Sequence, residues 1–145
     1  MIHTFTTDEH RWLSNMWYVD IPLRGVVYAS VEHAYQSEKS SDPEWKKFCA
    51  DRNVKPSETK IKAKDIVVRE DWENVKLLVM YYCLQHKFRQ EPFKTKLLAT
   101  GNVNIQEGNY WGDTFWGVDL KKNPNIGENH LGRLIMKIRD ELNSI

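Results

Sequence analysis

Cysteine is scarce in this chain: two residues in 145, Cys49 and Cys83, with no CxxC pair between them. Two reduced, buried thiols in a cytoplasmic protein are the expectation. An excess of one charge sign is also missing. Twenty-one basic side chains face 20 acidic ones, a formal net charge of +1. No global field therefore draws the protein to nucleic acid or to a membrane surface. No apolar run is long enough to span a bilayer, and the N-terminal MIHTFTTDEHRW has no hydrophobic stretch of the signal-peptide kind. HExxH, GxSxG, the Walker A loop and GxGxxG are all absent. The five histidines, His3, His10, His33, His86 and His130, show no ligand spacing. Neither a metal nor a cofactor is expected.

What is present fits one soluble globular domain, 1–145, large enough to bury a core without staples. Hydrophobic residues make up 41% and charged residues 28%. Aromatics are plentiful, with six Trp, six Tyr and five Phe. They serve either as core or as a pocket that stacks a planar ligand. WYVDIPL and GVVYA read as a small hairpin punctuated by Pro22 and Gly25. Ser30 caps a helix from Val31 to about Ser40. Asp42 and Pro43 open a second helix, and PSETKIKAKDI reads as a third. From Asp71 to about Phe88 a long helix shows Val75, Leu78, Val79, Tyr82 and Leu84 as its core face. Pro92 starts another, ended by Gly101. A loop-rich stretch, NYWGDTFWGVDLKKNPNIGEN, then leads to Asn129, which caps a last helix with the stripe Leu131, Leu134, Ile135, Ile138 and Leu142. Helices outnumber strands and no βαβ alternation is visible, so the expected class is α+β, mainly helical with a small β element.

Two stretches carry candidate chemistry. In SVEHAYQSEK (30–39), Glu32, Gln36 and Lys39 fall within an arc of about 60° at helical geometry. His33 flanks the arc, and Val31, Ala34 and Tyr35 lie on the other side. Such a stripe is either a solvated face or a set of groups acting on one object. In NYWGDTFWG (109–117), two Trp-Gly pairs surround Asp113. Glycine there lets the backbone turn tightly or approach a ligand, and a well-packed loop is the competing reading. The basic clusters KIKAK and KK read as solvated faces able to help hold a phosphate.

The ordered set WLSNM, YASVEHAYQSEK, DWENVKLLVM with LQHKF, LLATG, DTFWG and NHLGRLIMKIR resembles the NADAR family, also called YbiA-like, from about Arg11 to Leu142. The resemblance implies a compact, mainly helical α+β fold and N-glycosidic chemistry on ribose. One branch of the family hydrolyses unstable riboflavin-pathway intermediates, releasing ribose 5-phosphate from an aminopyrimidine. Another removes ADP-ribose from guanine in nucleic acid. Ser30, Glu32, His33, Gln36 and Lys39 match the family's S-x-E-H-x-x-Q-x-x-K helix. Leu13, Ser14 and Asn15 match its F-L-S-N element, with Trp12 in place of Phe, and Trp72 its helix-start tryptophan. Asp113, Trp116 and Gly117 match D-x-x-W-G, while Asn129, Leu131 and Gly132 match N-x-L-G. Met16 stands where an aromatic is common.

The expected activity is hydrolysis of a ribosyl N-glycosidic bond without cofactor. The substrate is a small phosphoribosyl or ADP-ribosyl molecule, or ADP-ribosylated nucleic acid, with no membrane partner. Glu32 manages protons or supports positive charge at the anomeric carbon. Lys39 either captures C1 as a Schiff base or binds phosphate. Asp113 orients a hydroxyl or the attacking water. Asn15, His33, Gln36, Trp72, Trp116, Gly117 and Asn129 complete the expected substrate-binding set: Asn15 and Gln36 for ribose hydroxyls, Trp72 or Trp116 for stacking the base. Two rivals are a non-catalytic ADP-ribose or NAD-binding module and a protein-interaction domain whose tryptophans are simply core.

Overall fold

Caps and turn chemistry set most of the element boundaries. In chain order the elements are β1 (Ile2–Thr4), β2 (Tyr18–Leu23), β3 (Val26–Ser30), α1 (Val31–Ser37), α2 (Pro43–Ala50), α3 (Pro56–Lys62), α4 (Trp72–Phe88), α5 (Phe93–Ala99), β4 (Ile105–Asn109), β5 (Val118–Asp119) and α6 (His130–Asn143). Short 3-10 turns occupy Arg11–Leu13 and Ala63–Asp65. The computed structural model describes residues 1–144. The architecture is the expected mainly helical α+β class. It resolves into two compact units, Asn15–Lys87 and a discontinuous one of Met1–Ser14 with Phe88–Ile145.

The Asn15–Lys87 unit is built around α1. Strands β2 and β3 pair antiparallel, with Leu23 opposite Val26. Their two-residue turn, Arg24 and Gly25, has both φ angles positive, at 52° and 80°. That geometry matches the twist of the flanking strands. Ser30 ends β3 and caps α1, its side chain accepting from His33 N. Asp42 caps α2 in the same way through Glu44 N, with Pro43 in the first turn. Helix α1 packs against β2, β3, α2 and α3, so every residue from Val31 to Ser37 is buried. It ends at Ser37, earlier than the expected Ser40, and Lys39 and Ser40 are half-buried.

The other unit joins both ends of the chain in a three-stranded sheet ordered β1-β4-β5, with both pairings parallel. This sheet is not among the elements expected from the residue pattern. Strands of three, five and two residues are too short to show an alternating pattern. Helix α6 packs on β4 and α5. Its stripe is as expected at Leu131, Ile135, Ile138 and Leu142, all buried, while Leu134 is half-buried. Each such side chain contributes about 1.5–3 kcal/mol on burial.

Helix α4 buries a different face from the expected one. Trp72, Met80, Cys83, Leu84, Lys87 and Phe88 are buried, whereas Leu78 is 69% exposed and Tyr82 42%. Apolar residues surround this helix, so periodicity singles out no face. The buried stripe also contains a lysine, which a search for apolar spacing rejects. Among the described residues, no helix is long and apolar enough to cross a membrane.

Burial pushes the Lys87 amine down to about 7, against an ordinary lysine value of about 10.4. A depressed lysine contributes least to instability when neutral: the penalty is absent above the unfolded value and grows as pH falls toward about 7. Cys49 and Cys83, pushed up to about 12 by burial, act oppositely, because their stabilisation fades once unfolded thiols ionise above about pH 8.5. Lys87→Met isolates the lysine. The stability gap between variant and wild type, measured by urea unfolding, should be largest near pH 7 and shrink toward pH 10.

Candidate active site

The polar stripe read from the sequence faces the interior of its unit, not solvent. Glu32 is 7% exposed and Gln36 3%. A buried carboxylate needs partners, and Gln36 Nε2 donates to Glu32 Oε1 at 2.8 Å, one helical turn away. The frame around this pair is fixed by the main chain. Glu32 N donates to Asn15 O at 3.0 Å, bringing the start of the unit over the first turn of α1. Trp45 Nε1 donates to Gln36 O at 2.9 Å, tying α2 to the same helix.

Two acceptors in this frame have no partner. Gln36 Oε1 and Asn15 Oδ1 are buried side-chain oxygens without a hydrogen bond. Leaving such a group unmet costs about 1–3 kcal/mol, and a ligand hydroxyl or amine donating to it recovers that loss. Burial raises the Glu32 carboxyl above its ordinary range, tempered by the Gln36 hydrogen bond and by the charges of Lys60, Lys39 and His33. Such a carboxyl keeps its proton closer to neutral pH and suits proton donation.

Lys39 follows at the end of the stripe. Its Nζ stands 5.7 Å from the ring centroids of both Tyr35 and Trp72. Those rings meet at 5.1 Å with a tilt of 58°. Burial lowers the Lys39 amine; Glu32 opposes that shift, while Lys60 and Lys76 reinforce it. A lysine with a lowered value has more of the free amine needed for nucleophilic work. Tyr35 was assigned to the apolar side of α1, and its i,i+4 spacing to Lys39 is the signal that marks it as part of the site. Lys60 lies in the KIKAK cluster read as a solvated face. It is exposed, yet its charge reaches both Glu32 and Lys39.

His33, expected in the substrate-binding set, has both ring nitrogens engaged within the protein. The ring is fully buried. Nδ1 lies 2.7 Å from Ser30 Oγ and Nε2 2.7 Å from Val54 O. A carbonyl only accepts, so Nε2 carries a proton and donates it. With both nitrogens engaged, His33 ties α1 to the chain before α3.

Asp113, Trp116, Gly117 and Asn129 belong to the other unit. There Asp113 Oδ1 accepts from Phe115 N and Trp116 N, at 3.1 and 2.9 Å. Buried Asn109 holds the same loop, with Oδ1 accepting from Asp113 N at 3.0 Å and Nδ2 donating to Asp113 O at 2.9 Å. Trp116 is half-buried and meets Phe115 edge-on at 4.9 Å. A side chain at Gly117 would collide with the Glu107 backbone and carboxylate, so glycine serves close approach to β4. Asn129 was also expected to bind substrate. Its Oδ1 accepts from Glu107 N at 3.0 Å and its Nδ2 donates to Ile105 O at 3.0 Å. Its amide pins β4 to the start of α6, and it makes no side-chain cap on the helix it precedes. Among the described residues, no three His, Cys, Asp or Glu side chains are grouped to hold a metal ion.

A mainly helical α+β fold with a stripe of buried Glu32 and Gln36 and half-buried Lys39 defines the class, and comparison with known proteins identifies the family. The NADAR domain model matches residues 3–143, and the chain belongs to the NADAR domain family. A protein of Escherichia coli named N-glycosidase YbiA is 30% identical over 94% of this chain and 84% of its own length. A riboflavin biosynthesis protein of Vibrio vulnificus is 30% identical over 97% of this chain but only 38% of its own length. The chain thus spans well under half of that relative. The solution NMR structure of Escherichia coli YbiA superposes with a TM-score of 0.80 at 26% identity, covering 99% of this chain and 88% of that one.

The mutual influence of Glu32 and Lys39 has a sign that can be measured. Glu32→Gln removes a negative charge that raises the Lys39 value, so Lys39 should titrate lower still in that variant. Lys39→Met removes a positive charge that lowers the Glu32 value, so Glu32 should titrate higher. NMR titration of methylated lysine and of the carboxyl carbon reads both. No change in either would show that the two groups do not act on each other.

Proposed function

We propose that the chain is an N-glycosidase that hydrolyses a ribosylamine, the bond between C1 of a ribose and an exocyclic amine of a base. The observation that carries this reading is the α1 stripe itself: a buried carboxyl whose burial raises its affinity for a proton, a partly desolvated amine, and two unmet acceptors, Gln36 Oε1 and Asn15 Oδ1. Unmet acceptors call for a ligand rich in donors, and ribose hydroxyls are such donors. The printed names of the relatives support the same class. The riboflavin-related name favours a ribosylaminopyrimidine phosphate as substrate, and ADP-ribosylated guanine offers the same type of bond.

The chemistry balances without a cofactor. Glu32 gives its proton to the ring oxygen as the C1–O bond opens, leaving an iminium at C1. The Lys39 amine adds to C1. A proton passes from the lysine nitrogen to the base nitrogen, and the base leaves as a free amine. Water then adds to the lysine Schiff base while the Glu32 carboxylate takes a proton from it. The open-chain sugar departs, and both side chains return to their starting states. Trp72 and Tyr35 frame Lys39.

Purified protein offered a ribosylaminopyrimidine phosphate, and separately ADP-ribosylated guanine in DNA, should release sugar phosphate or ADP-ribose from at least one. Glu32→Gln should lower kcat by about 10²–10⁴-fold, the usual yield of general acid–base catalysis. Borohydride added during turnover should fix the sugar to Lys39, seen as a mass increase absent from Lys39→Arg. Cleavage of neither substrate would leave a binding module in place of an enzyme. Full activity in Glu32→Gln would remove Glu32 from the mechanism.

A further inference from the structure

Beyond the stripe, the same unit contains a cavity of about 430 Å³ lined by Arg24, Glu38, Ser40, Ser41, Lys46 and Arg69. Its residues come from the hairpin turn, the end of α1, the linker to α2, α2 itself and the segment before α4. Sequence distance hides the cluster, because only folding brings three cations to one place. From this cavity we infer that the protein binds a phosphate monoester group of a small molecule here, at a site separate from the Glu32–Gln36 pair.

Preorganisation is the reason. Each cation is held by a carboxylate through one edge and keeps another edge for a ligand. Arg24 Nε bonds both oxygens of Glu38, at 2.9 and 3.1 Å, which leaves its terminal nitrogens. Lys46 Nζ bonds Glu38 Oε2 at 2.8 Å, using one of its donors. Arg69 pairs with Asp71 through Nε and Nη2, which leaves Nη1. Glu38 is 5% exposed and stays ionised: burial alone would raise it, but Lys46 and Arg24 hold it below its ordinary range. The carboxylate acts as the clamp that fixes two cations, so little conformational freedom remains to be lost on binding.

Charge and geometry select the ligand class. The lining carries three cations against one anion, with Asp71 behind Arg69 as a second. Ser41 makes no hydrogen bond among the described residues, and Ser40 Oγ accepts from Asp42 N while keeping its own proton to donate. Three cations and two serine hydroxyls in one lining suit a phosphate dianion, which carries more charge and more acceptor oxygens than a carboxylate. The volume also admits the sugar or other small group to which the phosphate is attached. The cavity lies directly beyond Lys39 in the chain, and Arg69 N donates to Lys39 O at 2.8 Å, so the anion site and the stripe share one backbone junction. Under the proposed function this is where a sugar phosphate would be anchored, and that link alone rests on the N-glycosidase reading.

The test is direct binding, independent of turnover. Ribose 5-phosphate, inorganic phosphate and ribose are titrated into the protein by calorimetry, with amide shifts of residues 38–46 and 69 followed by NMR. Ribose 5-phosphate should bind at least about tenfold more tightly than ribose, and more weakly as salt is raised. Arg69→Gln should weaken it by about tenfold, the worth of one charged hydrogen bond. Ser41→Asp should abolish it, and both variants should melt close to wild type because neither side chain hydrogen-bonds the buried Glu38, whose partners are Arg24 and Lys46. Equal affinity for ribose and ribose 5-phosphate would overturn the proposal, as would binding that neither variant changes. Phosphate binding without any glycosidic cleavage would sink the proposed function and leave this site standing. Cleavage that ignores phosphate would do the reverse.

Discussion

The hydrogen bond from Gln36 to Glu32 is the interaction on which the α1 site turns. A carboxyl brought into an interior is destabilising by several kcal/mol unless it is partnered or protonated. Here one donor from the same helix face meets one oxygen, and burial raises the group's affinity for its proton. The partner comes from the i,i+4 spacing alone, so the local helix supplies it before any tertiary contact forms. Several contacts around α1 hold the helix that carries the pair. Trp45 and the Asn15 carbonyl hold its backbone, and His33 braces its first turn against Val54.

This arrangement explains why the helix is polar yet buried. Two further acceptors, on Gln36 and Asn15, remain unmet, an unfavourable situation of about 1–3 kcal/mol each. The burial of an apolar core offsets it: Ile21, Val31, Ala34 and Leu84 of the same unit have no exposed surface. Strain of this kind concentrates where a ligand relieves it, and it is the polar geometry, not the tryptophan count, that distinguishes the site from a core. Trp45 shows the contrast. It is 4% exposed and spends its indole N–H on the Gln36 carbonyl, a purely supporting role.

Local signals were legible in the sequence. The hairpin, the Ser30 and Asp42 caps, the Pro43 start and the α6 stripe all depend on residues close in sequence, and the structure has them where expected. Three kinds of information were not legible. The parallel pairing of β1 with β4 joins segments about a hundred residues apart through strands too short for a pattern. The buried face of α4 includes Lys87 and so violates the apolar rule that would have found it. The burial of α1 on all sides is set by what packs round it, β2, β3, α2 and α3, and no property of its own seven residues announces that.

The motif residues divide by what their side chains touch, and the division is physical. Glu32, Gln36 and Lys39 keep a reactive or unmet atom, whereas His33 and Asn129 have both polar atoms taken by the protein's own backbone or hydroxyls. Gly117 has no side chain to offer and is required because Glu107 occupies the space a Cβ would need. A short ordered motif therefore mixes groups that do chemistry with groups that hold those groups still. Sequence alone cannot separate them, because an imidazole that binds a ligand and one that ties two loops together are written with the same letter. The separation comes from counting which donors and acceptors the fold has already used. On that count the 30–39 segment and Asn15 keep unmet acceptors at Gln36 Oε1 and Asn15 Oδ1, while both His33 nitrogens are already engaged.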